Sequence, residues 1–293
     1  MSAMPAPDDI LLAIPNVCEG RDPTVIARIG AAFASTGARL LDVHSDPDHH
    51  RTVYTLAGRA GDLWPALVAG ARECLRSIDL REERGSHPHV GALDVAPIVH
   101  LDAERRGAAC AEALIAGEEL GRLGLPVFLY GALADGRSRA ELRRGGVGEL
   151  SHRIATGELR PDFGPHRLDA RHGALLVAAR PPLIAFNIEL AAPATLADAQ
   201  AIAARIREGG SEGLPGVRAL GLELLARDAI AQVSTNVEDH LAVSLAQLVA
   251  AVARHADIAA CELVGLAPAA AFEGFPDGVP IRNRRTVEDA LAG

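Results

Sequence analysis

The pattern of hydrophobic and polar residues along the first hundred positions predicts strands that are interrupted by helices. Apolar or β-branched runs are typical of strands, and amphipathic stretches that follow a capping residue are typical of helices. Asp22-Pro23 favours a helix start, because the carboxylate accepts hydrogen bonds from free backbone N–H groups and proline fits the first turn. Strands are predicted at residues 10–16, 39–45, 51–58 and 90–99, and helices at 22–37 and 62–78. This β-α-β-β-α-β order is the split βαβ pattern.

Three further elements are predicted before a boundary at Arg180-Pro181-Pro182. They are a helix near residues 104–122 and two strands at 126–131 and 174–179. Between the strands, residues 136–173 are rich in glycine and arginine and contain the turn-forming run RPDFGP. Proline, glycine and mixed charge at 160–173 predict a long irregular loop.

The second half of the chain repeats the order of the first. Strands are predicted at 183–190, 217–225, 230–237 and 258–267, and helices at 195–210 and 241–256. The segment after Glu273 is predicted to lie on the surface. We therefore predict an α/β (α+β) fold of two βαββαβ, ferredoxin-like halves, residues 1–181 and 182–293, with a ligand cleft between them.

Composition narrows the choice of partners and compartment. A net charge of −9 and an aromatic content of 3% argue against nucleic acids and anionic membranes as partners. The sequence has no leader-like start and no run of about 18 apolar residues, so neither a signal peptide nor a membrane span is predicted. The four cysteines, Cys18, Cys74, Cys110 and Cys261, form no CxxC pair, which favours reduced thiols in a cytoplasmic protein.

His87 is the first candidate for chemistry. It lies in the polar run RGSHPHVGALD, where Pro88 keeps it out of a helix, and Gly85 and Gly91 allow a ligand to approach the backbone. A histidine in such a loop can serve as a general acid or base near neutral pH. A solvated or capping histidine is the alternative interpretation.

A second polar cluster lies in the run HSDPDHHRTV, where Arg51 could bind a carboxylate through two hydrogen bonds. The same region, with His87 and His89, leaves a metal-dependent hydrolase open as an alternative function. That function would rest on His44, His49, His50, His87 and His89, with Asp46 and Asp48 in the same loop. No HxxxH spacing or closed four-ligand spacing is present, so a polar turn is favoured and no metal is predicted.

Two further features favour substrate binding. The arginines of the irregular loop, Arg160, Arg167 and Arg171, could meet an anionic tail, ordinary surface charge being the alternative. Asn16 and Asn187 occupy corresponding ends of the first strand in each half, where asparagine is either a turn residue or a substrate contact.

Eight segments resemble the formiminotransferase family, which is the front domain of formiminotransferase-cyclodeaminase and occurs alone in many bacteria. They run in family order from about residue 14 to residue 270, and only the front domain is represented, so a monofunctional transferase is expected. The segments are IPNVCEGR, LLDVHSDPDHHRTVYTLAGR, GSHPHVGALDVAPIV, LGLPVFLYG, PDFGP, GALLVAARPPLIAFNIEL, AQVSTN and ELVGLAP.

The resemblance implies transfer of the formimino group from N-formimino-L-glutamate to N5 of tetrahydrofolate, the co-substrate, between two α/β halves and without a metal. The family's catalytic histidine falls on His87, as general acid/base. Arg51, Asn16 and Asn187 are kept as further candidate substrate contacts. The family's folate loop maps onto Gly164, Pro165, His166, Arg167, Leu168, Asp169, Ala170, Arg171, His172 and Gly173.

Four positions depart from the family pattern near the predicted reaction centre. Ser86 stands in place of a glutamate, His89 of an arginine and His50 of an asparagine, while His44 occupies a position that is a carboxylate in some members. These changes leave open a folate-binding or altered-substrate paralogue with the same fold. The expected partners are the two small-molecule substrates, and homodimerisation is left open.

Overall fold

The computed structural model describes residues 9–82, 88–224, 227 and 229–293. The chain divides into two compact units, Met1–Pro181 and Pro182–Gly293. The first unit contains the strands β1 (Leu11–Ala13), β2 (Asn16–Val17), β3 (Arg39–Asp46), β4 (Arg51–Gly58), β5 (Leu93–His100), β6 (Val127–Leu129) and β7 (Leu175–Arg180). Its helices are α1 (Pro23–Phe33), α2 (Leu63–Ser77), α3 (Arg106–Arg122), α4 (Arg139–Arg143) and α5 (Gly146–Ala155).

The sheet of the first unit contains the split βαβ order and then extends it. β1 and β2 act as one interrupted strand, which lies antiparallel to both β4 and β5. β3 pairs with β4 on one side, while β7 and then β6 continue the sheet in parallel beyond β5. The predicted strand 10–16 breaks at Pro15, because proline has no N–H to donate to a neighbouring strand.

Two apolar clusters cover the faces of this sheet. One contains residues of α1, α2 and α3, including Phe33, Leu67 and Leu120. The other contains residues of β5, β6 and β7 together with Leu142 of α4 and Leu150 of α5. Residues 136–159, for which the sequence predicts no element, thus contain α4 and α5. Ser138 forms a capping box with Glu141 at the start of α4, a signal that the glycines and arginines of this region obscured.

Helix starts in the first unit are satisfied in two different ways. Asp22 caps α1 as predicted, accepting hydrogen bonds from the backbone N–H groups of Thr24 and Val25. Asp62 makes no side-chain cap at the start of α2. Glu112 of α3 takes that role, because its carboxylate accepts hydrogen bonds from three backbone N–H groups at 2.7–3.0 Å. These donors are Gly61, Leu63 and Trp64.

The second unit repeats the pattern with a single antiparallel core. Its elements are β8 (Ile184–Leu190), α6 (Leu196–Ile206), β9 (Val217–Leu224), β10 (Ile230–Val237), α7 (Leu245–Ala253), β11 (Ile258–Val264), β12 (Ile281–Arg282) and α8 (Val287–Ala292). The sheet order is β12-β11-β8-β10-β9. One face of it packs against α6 and α7 around Phe186, Ile202 and Leu248. The predicted fold class, two α+β halves, is confirmed.

The C-terminal segment lies largely on the surface, as predicted, and also contains short ordered elements. β12 pairs in parallel with β11, and Val287 and Ala290 of α8 are buried. The glycines and prolines after Glu273 thus form turns between short elements that complete this unit. Within the described ranges, no helix combines the length and the apolar character that a bilayer crossing requires.

Candidate active site

The turn between β3 and β4 is held by Asp46. Its carboxylate accepts hydrogen bonds from the backbone N–H groups of Asp48 and His49 at 2.8 and 2.9 Å, and the His49 ring lies 3.3 Å away. Burial raises the pKa of Asp46, but these hydrogen bonds and the charge of His49 outweigh it, so the net pKa is well below the usual range. His50 follows with a φ of 48°, and its ring Nε2 lies 3.2 Å from Glu19 Oε1.

Arg51 begins β4 immediately after this turn and is almost fully buried. Its Nε donates to Asn16 Oδ1 at 3.0 Å, and its Nη2 lies 2.8 Å from Asp94 Oδ2. Burial lowers the pKa of Arg51, Asp94 opposes that effect, and the positive charge of Arg143 adds to it. Asn16 and Arg51, which the sequence nominated separately, therefore lie in direct contact.

Asp94 joins this contact to the segment that precedes β5. Its carboxylate is fully buried, and Oδ1 accepts a hydrogen bond from the backbone N–H of Val90 at 2.8 Å. Oδ2 also accepts from Nη2 of Arg143, at the end of α4. We name Arg51, Asp94 and Arg143 the arginine cluster. Sequence reasoning missed Asp94 and Arg143, although a charged residue inside the otherwise apolar run ALDVAPIV is a signal that could have found the first.

The candidate folate loop, Gly164–Gly173, closes against the same segment. Gly173 has a φ of +72° and forms a β-bridge with Gly91, and Ala174 N–H donates to Val90 O at 2.8 Å. A Cβ on Gly91 would lie 1.7 Å from Ala174 O, and one on Gly173 would lie 2.1 Å from Val90 O. Glycine is required at both positions because the two backbones touch.

The rest of this loop is held by local and long-range contacts. Asp169 accepts a hydrogen bond from the backbone N–H of Arg171, and its backbone oxygen accepts one from Gly173 N–H at 2.7 Å. The His172 ring Nε2 lies 2.9 Å from Leu75 O of α2. At the other end, a Cβ on Gly164 would lie 2.0 Å from Leu125 O. The described structure thus fixes both ends of the loop on the first unit.

Asn187 lies in the second unit, on the face of β8 opposite the apolar cluster. It is buried, and its neighbours in register are Ser234 of β10 and Glu262 of β11. On the same face, Glu189 pairs with Arg227 at 3.0 Å and with Arg282. Buried carboxylates on this face are thus matched by arginines rather than exposed to solvent.

The described residues include some of the predicted site residues and not others. They bring Arg51 and Asn16 together, and they bring the end of the candidate folate loop against Val90–Ala92, while Asn187 belongs to the other unit. His87 and Ser86 lie outside the described residues. His44 and His89 are half-buried. No group of three or more histidine, cysteine, aspartate or glutamate residues that could hold a metal ion is found in the part of the chain that the structure describes.

Comparisons with known proteins match almost the whole chain. The model of the formiminotransferase domain, N-terminal subdomain, matches residues 10–180, and that of the formiminotransferase domain matches residues 185–274. Formimidoyltransferase-cyclodeaminase of Sus scrofa is 36% identical over 274 residues, which cover 87% of this chain and 49% of that protein. The chain spans about half the length of such bifunctional relatives.

Two microbial relatives match over most of their own length. Glutamate formimidoyltransferase of Streptococcus pyogenes serotype M1 is 32% identical over 90% of both chains. The protein of the same name from Thermoplasma acidophilum is 32% identical over 78% of this chain and 76% of its own. The family predicted from the sequence is confirmed by these matches: the chain belongs to the formiminotransferase domain family.

Proposed function

We propose that this chain is a glutamate formiminotransferase that moves the formimino group of N-formimino-L-glutamate to N5 of tetrahydrofolate. The names of the two microbial relatives, which match over most of their length, support this activity. The observation that carries the proposal is the backbone junction between Gly173 and Gly91. It joins the end of the candidate folate loop to the segment that follows His87.

The covalent chain keeps the proposed acid/base close to that junction. Val90 follows His87 by three residues, and three residues span at most about 11 Å of chain. Val90 itself bonds to Asp94 and to Ala174. A folate held by Gly164–Gly173 and a donor held near Arg51 would therefore both lie within reach of a histidine at position 87.

The reaction needs two proton transfers and close placement of two substrates. N5 of tetrahydrofolate attacks the formimino carbon and forms a tetrahedral centre, and the bond to the glutamate nitrogen then breaks. His87 takes the proton from the attacking nitrogen and gives a proton to the departing glutamate nitrogen. Holding the two substrates together supplies much of the remaining acceleration.

The glutamate released from formiminoglutamate, measured with and without tetrahydrofolate, tests the proposal. We expect release that depends on both substrates, and a loss of about a hundredfold or more in kcat for His87→Ala, because a general acid/base contributes about 10²–10⁴. His152→Ala, a substitution at an exposed histidine of α5, is the matched control and should keep wild-type turnover.

Two results would contradict the proposal. Wild-type turnover in His87→Ala would remove the histidine from the mechanism. Tetrahydrofolate binding without glutamate release by the wild-type protein would favour the folate-binding or altered-substrate paralogue that Ser86 and His89 leave open.

A further inference from the structure

The arginine cluster places two guanidinium groups on one carboxylate oxygen. Arg51 Nη2 lies 2.8 Å from Asp94 Oδ2, and Arg143 Nη2 donates to the same oxygen. The side chains of Arg51 and Arg143 are only 9% and 14% exposed, and that of Asp94 is fully buried. The contact is therefore shielded from water. Charges in such a buried environment must be matched by neighbouring groups of the protein or of a ligand.

The cluster has more donors and more positive charge than its own residues can match. Among the described residues, one carboxylate faces two guanidinium groups, which leaves one positive charge uncompensated in this contact. The second oxygen of Asp94 is already engaged by the backbone N–H of Val90. In the same part of the chain, the buried Nε of Arg143 donates to no acceptor. A buried donor without an acceptor is costly, so the cluster is built to receive one more acceptor that carries negative charge.

The chemistry of the cluster defines the ligand. Guanidinium groups donate and never accept, so the ligand must supply oxygen acceptors. Their planar fork suits a carboxylate, which is the anionic group that both substrates of the proposed reaction carry. In formiminoglutamate a carboxylate sits on the carbon next to the reacting nitrogen. In tetrahydrofolate the aminobenzoyl group separates the glutamate tail from N5.

We propose, on the basis of the proposed function, that Arg143 and Arg51 form a subsite for a carboxylate of the donor formiminoglutamate. Asp94 is a positioning residue, because it orients both guanidinium groups and ties them to Val90, three residues after His87. The donor is favoured over the folate tail because Asp94, which binds both guanidinium groups, lies seven residues after His87 in the chain. Only the donor carries a carboxylate beside the reacting nitrogen.

Steady-state kinetics of Arg143→Gln and Arg143→Lys test the subsite. Arg143→Gln should raise KM for formiminoglutamate about 10- to 100-fold, since hydrogen bonds to charged groups are strong, with KM for tetrahydrofolate and kcat nearly unchanged. Arg143→Lys keeps the charge but not the planar group that binds a carboxylate with two hydrogen bonds. Its KM for formiminoglutamate should lie between those of the wild type and Arg143→Gln. Arg144→Gln is the matched control, because the neighbouring Arg144 side chain is 67% exposed, and it should resemble the wild type.

Three outcomes would overturn the proposal. A rise in KM for tetrahydrofolate instead of the donor would assign the cluster to the folate tail. A fall in kcat and thermal stability with both KM values unchanged would assign it a structural role. An Arg143→Gln protein with unchanged kinetics would remove it from binding altogether.

A binding measurement separates this proposal from the proposed function. If the wild-type protein releases no glutamate, N-acetyl-L-glutamate can be titrated by calorimetry into the wild type and Arg143→Gln, since this probe keeps both carboxylates and needs no turnover. Binding that is about 10-fold or more weaker in the variant would support the subsite even without transferase activity. Equal affinity, or no binding to either protein, would overturn it.

Discussion

Asp46 shows at the residue scale how one side chain shapes the approach to the candidate site. It gathers two backbone N–H groups and the His49 ring in the turn that leads into Arg51. Since these groups hold the pKa of Asp46 below its unfolded value, the ionised form stabilises the folded state above about pH 4, and this contribution is lost as the pH falls through the lower folded pKa.

Asp46→Asn should therefore lower the free energy of unfolding by about 1–2 kcal/mol at pH 7, because hydrogen bonds to a charged acceptor are replaced by weaker ones. The difference from the wild type should shrink below about pH 4, as the wild-type carboxylate takes up a proton. Urea unfolding at several pH values measures it. Asp135→Asn, a change at an exposed carboxylate, is the control. A difference that stayed constant down to pH 2 would show that charge on Asp46 is not the cause.

Glu112 illustrates, at the scale of elements, how one helix completes another. Its two oxygens accept the three N–H groups at the start of α2, whose own Asp62 makes no side-chain cap. Glu112→Gln should cost about 1–3 kcal/mol in urea unfolding at pH 7, because an amide nitrogen cannot accept a hydrogen bond and leaves a buried donor unmatched. Glu118→Gln is a control on the exposed face of the same helix. Equal unfolding midpoints for the two variants would contradict this role of Glu112.

The junction between the candidate folate loop and the segment before β5 gives a second test at this scale. Gly173→Ala places a Cβ 2.1 Å from Val90 O, in addition to a φ of +72°. Gly157 has a φ of +76° with no atom within 4 Å of an added Cβ, so Gly157→Ala isolates the cost of the backbone conformation, about 1 kcal/mol. Gly173→Ala should cost about 2–4 kcal/mol in thermal unfolding and weaken tetrahydrofolate binding. Similar losses of stability in Gly173→Ala and Gly157→Ala would show that the backbone at the junction shifts to accommodate the added Cβ.

The predicted cleft between the two halves belongs to the scale of the whole molecule and stays a prediction. If one ligand contacts Arg51 and Asn187, then Arg51→Lys and Asn187→Ala should couple by at least about 0.5 kcal/mol in kcat/KM for the two substrates, measured in a double-mutant cycle. Glu223→Gln, a change at an exposed position of β9, should add to Arg51→Lys without coupling. Additive effects of Arg51→Lys and Asn187→Ala would contradict the prediction that one ligand contacts both residues.

The sequence by itself determined the order of the main elements, the repeated βαββαβ pattern and the family. Each of these depends on residues close together in the chain: an alternating strand such as residues 51–58, a cap such as Asp22, or an ordered set of short segments. It also nominated Arg51, Asn16 and the loop Gly164–Gly173. It did not predict the short helices α4 and α5. The capping box of α4 is embedded among glycines and arginines, and α5 follows Gly145 without a side-chain cap.

Only the tertiary structure decided which of these residues meet. Arg143 reaches Asp94 across 49 residues of chain, Glu112 caps α2 from a helix that follows it, and Gly91 touches Gly173. Such contacts leave no periodic trace in the sequence, because they depend on where separate elements pack rather than on how each one forms. A buried carboxylate that is shared by two arginines becomes visible only when the sheet and α4 bring all three side chains out of water.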